Sequence, residues 1–195
     1  MILGITGGTG SGKTTLLQCA EAMGALVLDC DGIYHDLLKT DKSLLAQIEK
    51  RFAGTVRAGE LDRKKLGAKV FADPEALKDL NAITHGAVKK EILRRLENAP
   101  ELVVIDAIGL HEGGLAPLCD VTVAVEAPRE SRIARLMARE GVTREYAESR
   151  IDAQHSDAWF RENCDRVLVN DGTKEDFQKK CLAFLRELDI MNLTK

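Results

Sequence analysis

The sequence predicts an open three-layer α/β fold, a five-stranded parallel sheet covered by helices on both faces and interrupted by a helical insert after the second strand. Three observations predict it. Short apolar runs recur at Met1–Thr6, Ala25–Asp29, Leu102–Asp106, Val121–Glu126 and Arg166–Asn170. Runs of this kind, rich in Val, Ile and Leu and bounded by turn residues, suit strands buried on both faces. Helical patterns separate most of them, and alternating β and α elements imply right-handed crossovers. The long stretch between Asp31 and Pro100 holds no convincing strand.

Taken in order, Met1–Thr6 reads as a buried strand followed by a helix from Lys13 to about Met23. Ala25–Asp29 is the second strand and ends in acid. Helical patterns around Ser43–Phe52, Asp62–Phe71 and Pro74–Glu97 then fill an all-helical insert, 32–99. Such an insert sits over the carboxyl ends of the strands, the edge at which open α/β sheets bind ligands. Leu102–Asp106 and Val121–Glu126 return to the sheet. Helices follow at Pro128–Arg139 and Arg144–Asp157, and the last strand, Arg166–Asn170, precedes a helix over Lys174–Leu188. There is no internal repeat. The expected organisation is a single domain over 1–195, with a core of 1–31, 100–127 and 164–195.

Composition narrows the function. The chain has 195 residues, 45% hydrophobic and 30% charged, and a net charge of -3. That balance belongs to an ordinary globular domain and gives no reason to expect nucleic acid or an anionic membrane as partner. The five cysteines (Cys19, Cys30, Cys119, Cys164, Cys181) form no CxxC pair, so neither a zinc site nor a disulfide framework is indicated, and free thiols in a reducing cytoplasm are expected. The amino-terminal residues lack the basic and long apolar regions of a signal peptide. No apolar run approaches the roughly 20 residues of a membrane span.

Gly7-Gly8-Thr9-Gly10-Ser11-Gly12-Lys13-Thr14 matches G-x-x-x-x-G-K-[ST] and lies between a strand and a helix, the context that pattern requires. Glycines let the backbone curl so that several N–H groups face phosphate oxygens, and the helix amino end adds positive potential. Lys13 is expected at the β- and γ-phosphates and Thr14 on Mg²⁺. The expected ATP contacts are Gly8, Thr9, Gly10, Ser11, Gly12, Lys13, Thr14 and Thr15. The bland alternative, a turn that merely joins strand to helix, does not need the complete motif.

Acids stand beside the loop. Asp29-Cys30-Asp31 ends the second strand, and one carboxylate there can orient or deprotonate an attacking hydroxyl. Asp31 can equally cap a helix starting near Gly32. Asp106 closes an hhhhD strand and is a candidate Mg²⁺ contact through water, or a cap for the next turn. Arg132, Arg135 and Arg139 share one helical face at i, i+3, i+7, and Arg144 follows. Such arginines form either a solvated face or a lid, here 128–163, that closes over ATP and neutralises transition-state charge. Asn170-Asp171-Gly172 is strong turn chemistry where nucleotide folds place a base-binding loop. Trp159 and Phe160 read as core or hinge packing.

These segments together resemble the dephospho-CoA kinase family, over most of the chain. The carrying residues are Gly4–Thr14, then Asp29-Cys30-Asp31 in place of Asp-Ala-Asp. Asp62–Leu66, Val70–Pro74 and Leu80–His85 follow, then Arg135–Arg139, Arg150–Gln154 and Asn170–Gly172. The resemblance implies a P-loop kinase fold and transfer of the γ-phosphate of ATP to the ribose 3′-hydroxyl of dephospho-CoA. It implies Asp31 as base, Arg139 and Arg135 as lid arginines, and Asn170 and Gly172 around adenine. It also implies Lys13 and Arg139 beside Asp31 in catalysis, and Arg63, His85 and Glu112 toward the acceptor; apart from the resemblance, a cytoplasmic monomer or weak homo-oligomer is expected. The chain departs from the family at Gly86, where a proline is usual, and at Ile108–Glu112, so that His111 reads as a local substitution.

Three other readings compete. One is a kinase of a nucleoside or nucleoside monophosphate. A second is a GTPase-like switch, since Asp29–Gly32 formally fits D-x-x-G and Thr173–Asp176 fits T-K-x-D. The latter reads better as a helix start with Thr173 as cap. The third is a loop that binds nucleotide without catalysis, which retention of Lys13, Thr14 and Asp31 argues against.

Overall fold

The computed structural model describes residues 1–71 and 73–193; Ala72, inside the Val70–Pro74 segment, lies outside the described residues. From the amino end, β1 (Ile2–Thr6) leads through the glycine loop to α1 (Lys13–Ala22) and β2 (Leu26–Asp29). Next come α2 (Cys30–Thr40), α3 (Lys42–Arg51), β3 (Val56–Arg57), β4 (Glu60–Leu61), α4 (Arg63–Val70) and α5 (Pro74–Leu96). The chain continues with β5 (Val103–Asp106), β6 (Val121–Glu126), α6 (Arg129–Glu140) and α7 (Arg144–Asp152). It closes with α8 (Asp157–Asn163), β7 (Arg166–Val169) and α9 (Lys174–Leu193).

The five longer strands form one parallel sheet in the order β2-β5-β1-β6-β7. β1 lies between β5 and β6, with Ile5 opposite Asp106 on one side and Val123 on the other. The sequence alternates around that centre. Leu3 and Ile5 of β1, Val104 of β5, and Val123 and Val125 of β6 bury into one cluster with Leu16 of α1 and Phe177, Phe184 and Leu188 of α9. α8 packs on β6 and β7. The parallel sheet is therefore buried by helices, as its near-continuous apolar strands require.

Two compact units divide the chain. The first is Met1–Leu28, Ala99–Leu110 and Ala116–Lys195; the second is Asp29–Asn98 with His111–Leu115. The second unit has its own core, in which Leu44, Leu45 and Ile48 of α3 meet Leu66 and Val70 of α4 and Ala76 of α5. Its helices start where short acids can cap them. Asp41 accepts from the Ser43 and Leu44 N–H groups, Asp62 from Lys65, and Asp73 from Glu75 and Ala76 ahead of Pro74. Each such cap contributes about 1 kcal/mol.

The structure corrects the sequence reading in three places. The stretch after β2 is not all-helical, because β3 and β4 pair as a short antiparallel hairpin. A helix, α2, begins directly after β2 at Cys30, two residues before the start near Gly32 that the sequence suggests. The expected helix Arg144–Asp157 is two helices: α7 ends at Asp152, and Ser156 starts α8 by accepting the Trp159 N–H. At the last helix Thr173 caps as expected, its hydroxyl accepting from Asp176 N at 3.1 Å while donating to the Asp176 carboxylate at 2.7 Å.

Candidate active site

The glycine loop and its neighbours lie in the first unit. The loop leaves the centre of the sheet and turns into α1, whose first residue is Lys13. Its shape is held from outside by side chains that take its carbonyls. Arg132 Nε donates to Thr9 O at 3.0 Å. Arg135 Nη1 donates to Gly10 O at 3.0 Å and Ser11 O at 3.1 Å. Asn170 Nδ2 donates to Ser11 O at 2.8 Å. A peptide carbonyl turned one way sends the next N–H the other way. Among the described residues, the N–H groups of Gly10, Gly12 and Thr14 make no hydrogen bond. They stay available to an anion at the amino end of α1, where the helix dipole also favours negative charge.

Gln154 completes the brace. Its Oε1 accepts from the Thr9 N–H at 2.8 Å and from Arg132 Nη2 at 3.2 Å, so both polar groups of the Thr9 backbone are occupied. Arg132 is buried, and that burial pushes its guanidinium below the ordinary arginine range, opposed by Asp157 at 3.6 Å. The packing explains two glycines directly. A Cβ at Gly8 would stand 2.1 Å from Arg132 Nη2, and one at Gly12 would stand 2.3 Å from Asn170 Nδ2 at a φ of 108°. Neither position accepts a side chain without losing the brace.

The predicted residues fall into two groups. Lys13, Thr14, Arg135 and Asn170 come together at the loop. Lys13 Nζ donates to Gly7 O at 2.7 Å, over the loop that it is expected to serve. Arg135, expected to meet ATP, stands at the loop and donates through Nη1 to two of its carbonyls. Arg139 is exposed and pairs with Glu140 at 2.5 Å. Asn170 is buried; its N–H binds Glu126 O at 2.7 Å, which ties the end of β7 to β6 beside the loop. Gly172 is exposed in the turn before α9. Asp106 is half-buried at the end of β5, in register with Ile5 of β1. Sequence reasoning noted Arg132 only as part of a basic face and gave Gln154 no role. The spacing from Arg135 hinted at the first; nothing local signalled the second.

Asp31, Arg63, His85 and Glu112 belong to the second unit. There the capping question is answered: Asp29 is the cap of α2, accepting the Asp31 N–H at 3.0 Å. The Asp31 carboxylate is exposed and has no hydrogen-bond or ion-pair partner among the described residues. Its carbonyl accepts from His35 Nδ1 at 2.7 Å. Arg63 opens α4 and is exposed, His85 is half-buried on α5, and Glu112 is exposed in the 111–115 segment.

A hard cation fits the donors near the loop. The Thr14 hydroxyl is exposed and unpartnered among the described residues, and Asp106 ends the strand next to β1. Oxygen donors of this kind suit Mg²⁺. No group of three or more His, Cys, Asp or Glu side chains able to hold a metal occurs among the described residues, so a cation here would take most of its ligands from nucleotide and water.

The model of the dephospho-CoA kinase family matches residues 1–176. The dephospho-CoA kinase of Latilactobacillus sakei is 37% identical over 188 residues, which cover 94% of this chain and 93% of that protein. A crystal structure of a Thermus thermophilus protein superposes with a TM-score of 0.81 at 35% identity, covering 96% of this chain and 97% of that one. The dephospho-CoA kinase of Campylobacter jejuni superposes with a TM-score of 0.70 at 26% identity over 98% of both chains.

Proposed function

The chain belongs to the dephospho-CoA kinase family, and from that premise we propose that it transfers the γ-phosphate of ATP to the ribose 3′-hydroxyl of dephospho-CoA, the last step of coenzyme A synthesis. The observation that carries this reading is the braced loop. Its carbonyls are turned outward by Arg132, Arg135 and Asn170, and the N–H groups of Gly10, Gly12 and Thr14 are left for phosphate.

In this reading Gly8 to Thr15 bind the ATP phosphates and Lys13 swings from Gly7 O to the β- and γ-phosphate oxygens. Thr14 and Asp106 would hold Mg²⁺, whose charge would offset that of the phosphates. Asp31 takes the proton of the 3′-hydroxyl as that oxygen bonds to the γ-phosphorus. The bond from the γ-phosphorus to the bridging β–γ oxygen breaks, and ADP leaves with the electron pair. Arg139 leaves Glu140 to meet the transferring phosphoryl group. Asn170 and Gly172 border the adenine, while Arg63, His85 and Glu112 face the acceptor. Both substrates are small and water-soluble, and we read the protein as a cytoplasmic enzyme acting as a monomer or weak homo-oligomer. No helix among the described residues is long and apolar enough to cross a membrane.

A coupled ADP-release assay over a panel of acceptors tests the assignment. Turnover is expected with dephospho-CoA at a kcat/KM well above that of any nucleoside or nucleoside monophosphate. Activity confined to a nucleoside would overturn the acceptor while leaving the kinase chemistry standing.

A further inference from the structure

Lys89 is a half-buried residue of α5. The other half-buried lysine and arginine side chains of the second unit have acidic neighbours. Arg95 donates to Glu91 at 2.8 Å, and Lys65 lies near Glu49, whose carboxyl is held below its usual range first by the Gly54 and Val56 N–H groups and least by Lys65. Lys89 has no hydrogen-bond or ion-pair partner among the described residues. A lysine with a packed stem and no counter-charge at its ammonium can offer that charge to an incoming anion.

Its surroundings point the same way. Lys89 Nζ lies 3.6 Å from the point that a Cβ on Gly114 would occupy, so the ammonium faces the backbone of the 111–115 segment of the same unit. Gly113 and Gly114 present no side chain there, and Gly114 has a φ of 63° that favours glycine. His85 stands four residues earlier, on the same face of α5 and also half-buried. An ammonium without a counter-ion, side-chain-free backbone opposite it and an imidazole one turn away together suit an anionic group laid along α5.

We propose that Lys89 binds the diphosphate group of the acceptor. The inference rests on the acceptor reading above and deepens it. Dephospho-CoA carries two esterified phosphates that must find positive charge when they leave water. An ammonium on a flexible stem can follow either one.

Steady-state kinetics on the full chain and its K89Q variant test this, with dephospho-CoA as acceptor and adenosine, which lacks the diphosphate, as a competitive probe. K89Q is expected to raise KM for dephospho-CoA ~10-fold or more, the loss of one charge-assisted hydrogen bond. The KM for ATP, the inhibition constant of adenosine and the melting temperature should stay as they are. K89R should recover most of the loss. An unchanged KM for dephospho-CoA, an equal weakening of adenosine, or a rise in KM for ATP instead would overturn the site. Failure of the unsubstituted protein to turn over dephospho-CoA would instead sink the acceptor reading. Calorimetric binding of dephospho-CoA then still reads the lysine, and equal affinities of the two proteins would overturn it.

Discussion

At Asp31 the local hydrogen bonds separate two tasks that an acid can perform at a helix start. Asp29 performs the capping, so the neighbouring carboxylate of Asp31 is not needed to close the backbone of α2. Asp31→Asn is therefore expected to leave the melting temperature and ATP affinity nearly unchanged. Turnover should fall by ~10²–10⁴-fold, the usual contribution of a general base. Single-turnover rates with calorimetric ATP binding check it, and an unchanged rate would remove Asp31 from the chemistry. Sequence alone could not assign the cap, because with the helix start read near Gly32 either acid could precede it, and only backbone geometry shows that α2 begins at Cys30 with Asp29 turned back as cap. The same limit applied to Arg135. Its spacing placed it on the face of α6 that carries Arg132, but spacing does not say that its Nη1 donates to the Gly10 and Ser11 carbonyls.

The loop between β1 and α1 is shaped by elements distant in sequence. Arg132 and Arg135 come from α6, Gln154 from the link between α7 and α8, and Asn170 from the end of β7. The segment expected to act as a lid is thus bonded, at its inner face, to the loop it would cover. Motion that opens it must hinge beyond Arg135 or break these bonds. Gln154→Leu keeps the side-chain bulk but leaves the Thr9 N–H and one Arg132 donor without an acceptor. Each unsatisfied buried group costs ~1–3 kcal/mol, so ATP affinity is expected to fall by ~10-fold or more. Isothermal titration with ATP measures it, and an affinity equal to that of the unsubstituted protein would show that the brace does not shape the site. The loop itself was readable because its motif is local. The brace was not, because Gln154 meets Thr9 only after the sheet has formed. The hairpin over Val56–Leu61 was missed for a different reason: its strands have two residues each, and Ala58 takes the positive φ of 51° that an asparagine would have signalled.

The five sheet strands and their parallel character followed from short apolar runs alone, since burial on both faces leaves that pattern in the sequence. Their order was not written there. β1 sits at the centre because the sheet grows outward to both sides of it, which puts the phosphate loop between β5 and β6. The division into two compact units was partly readable, as a long stretch without sheet strands. The return of His111–Leu115 to the second unit was not, because it depends on packing against α5 rather than on any local signal. At the scale of the whole molecule, a phosphoryl group passes from ATP to one hydroxyl of dephospho-CoA. The most direct measurement is phosphorus NMR of the product formed from ATP and dephospho-CoA by the unsubstituted protein. The account predicts one new phosphomonoester signal coupled to the ribose 3′ proton, growing in step with ADP. A phosphate on any other oxygen, or ADP and free phosphate with no new ester, would contradict it.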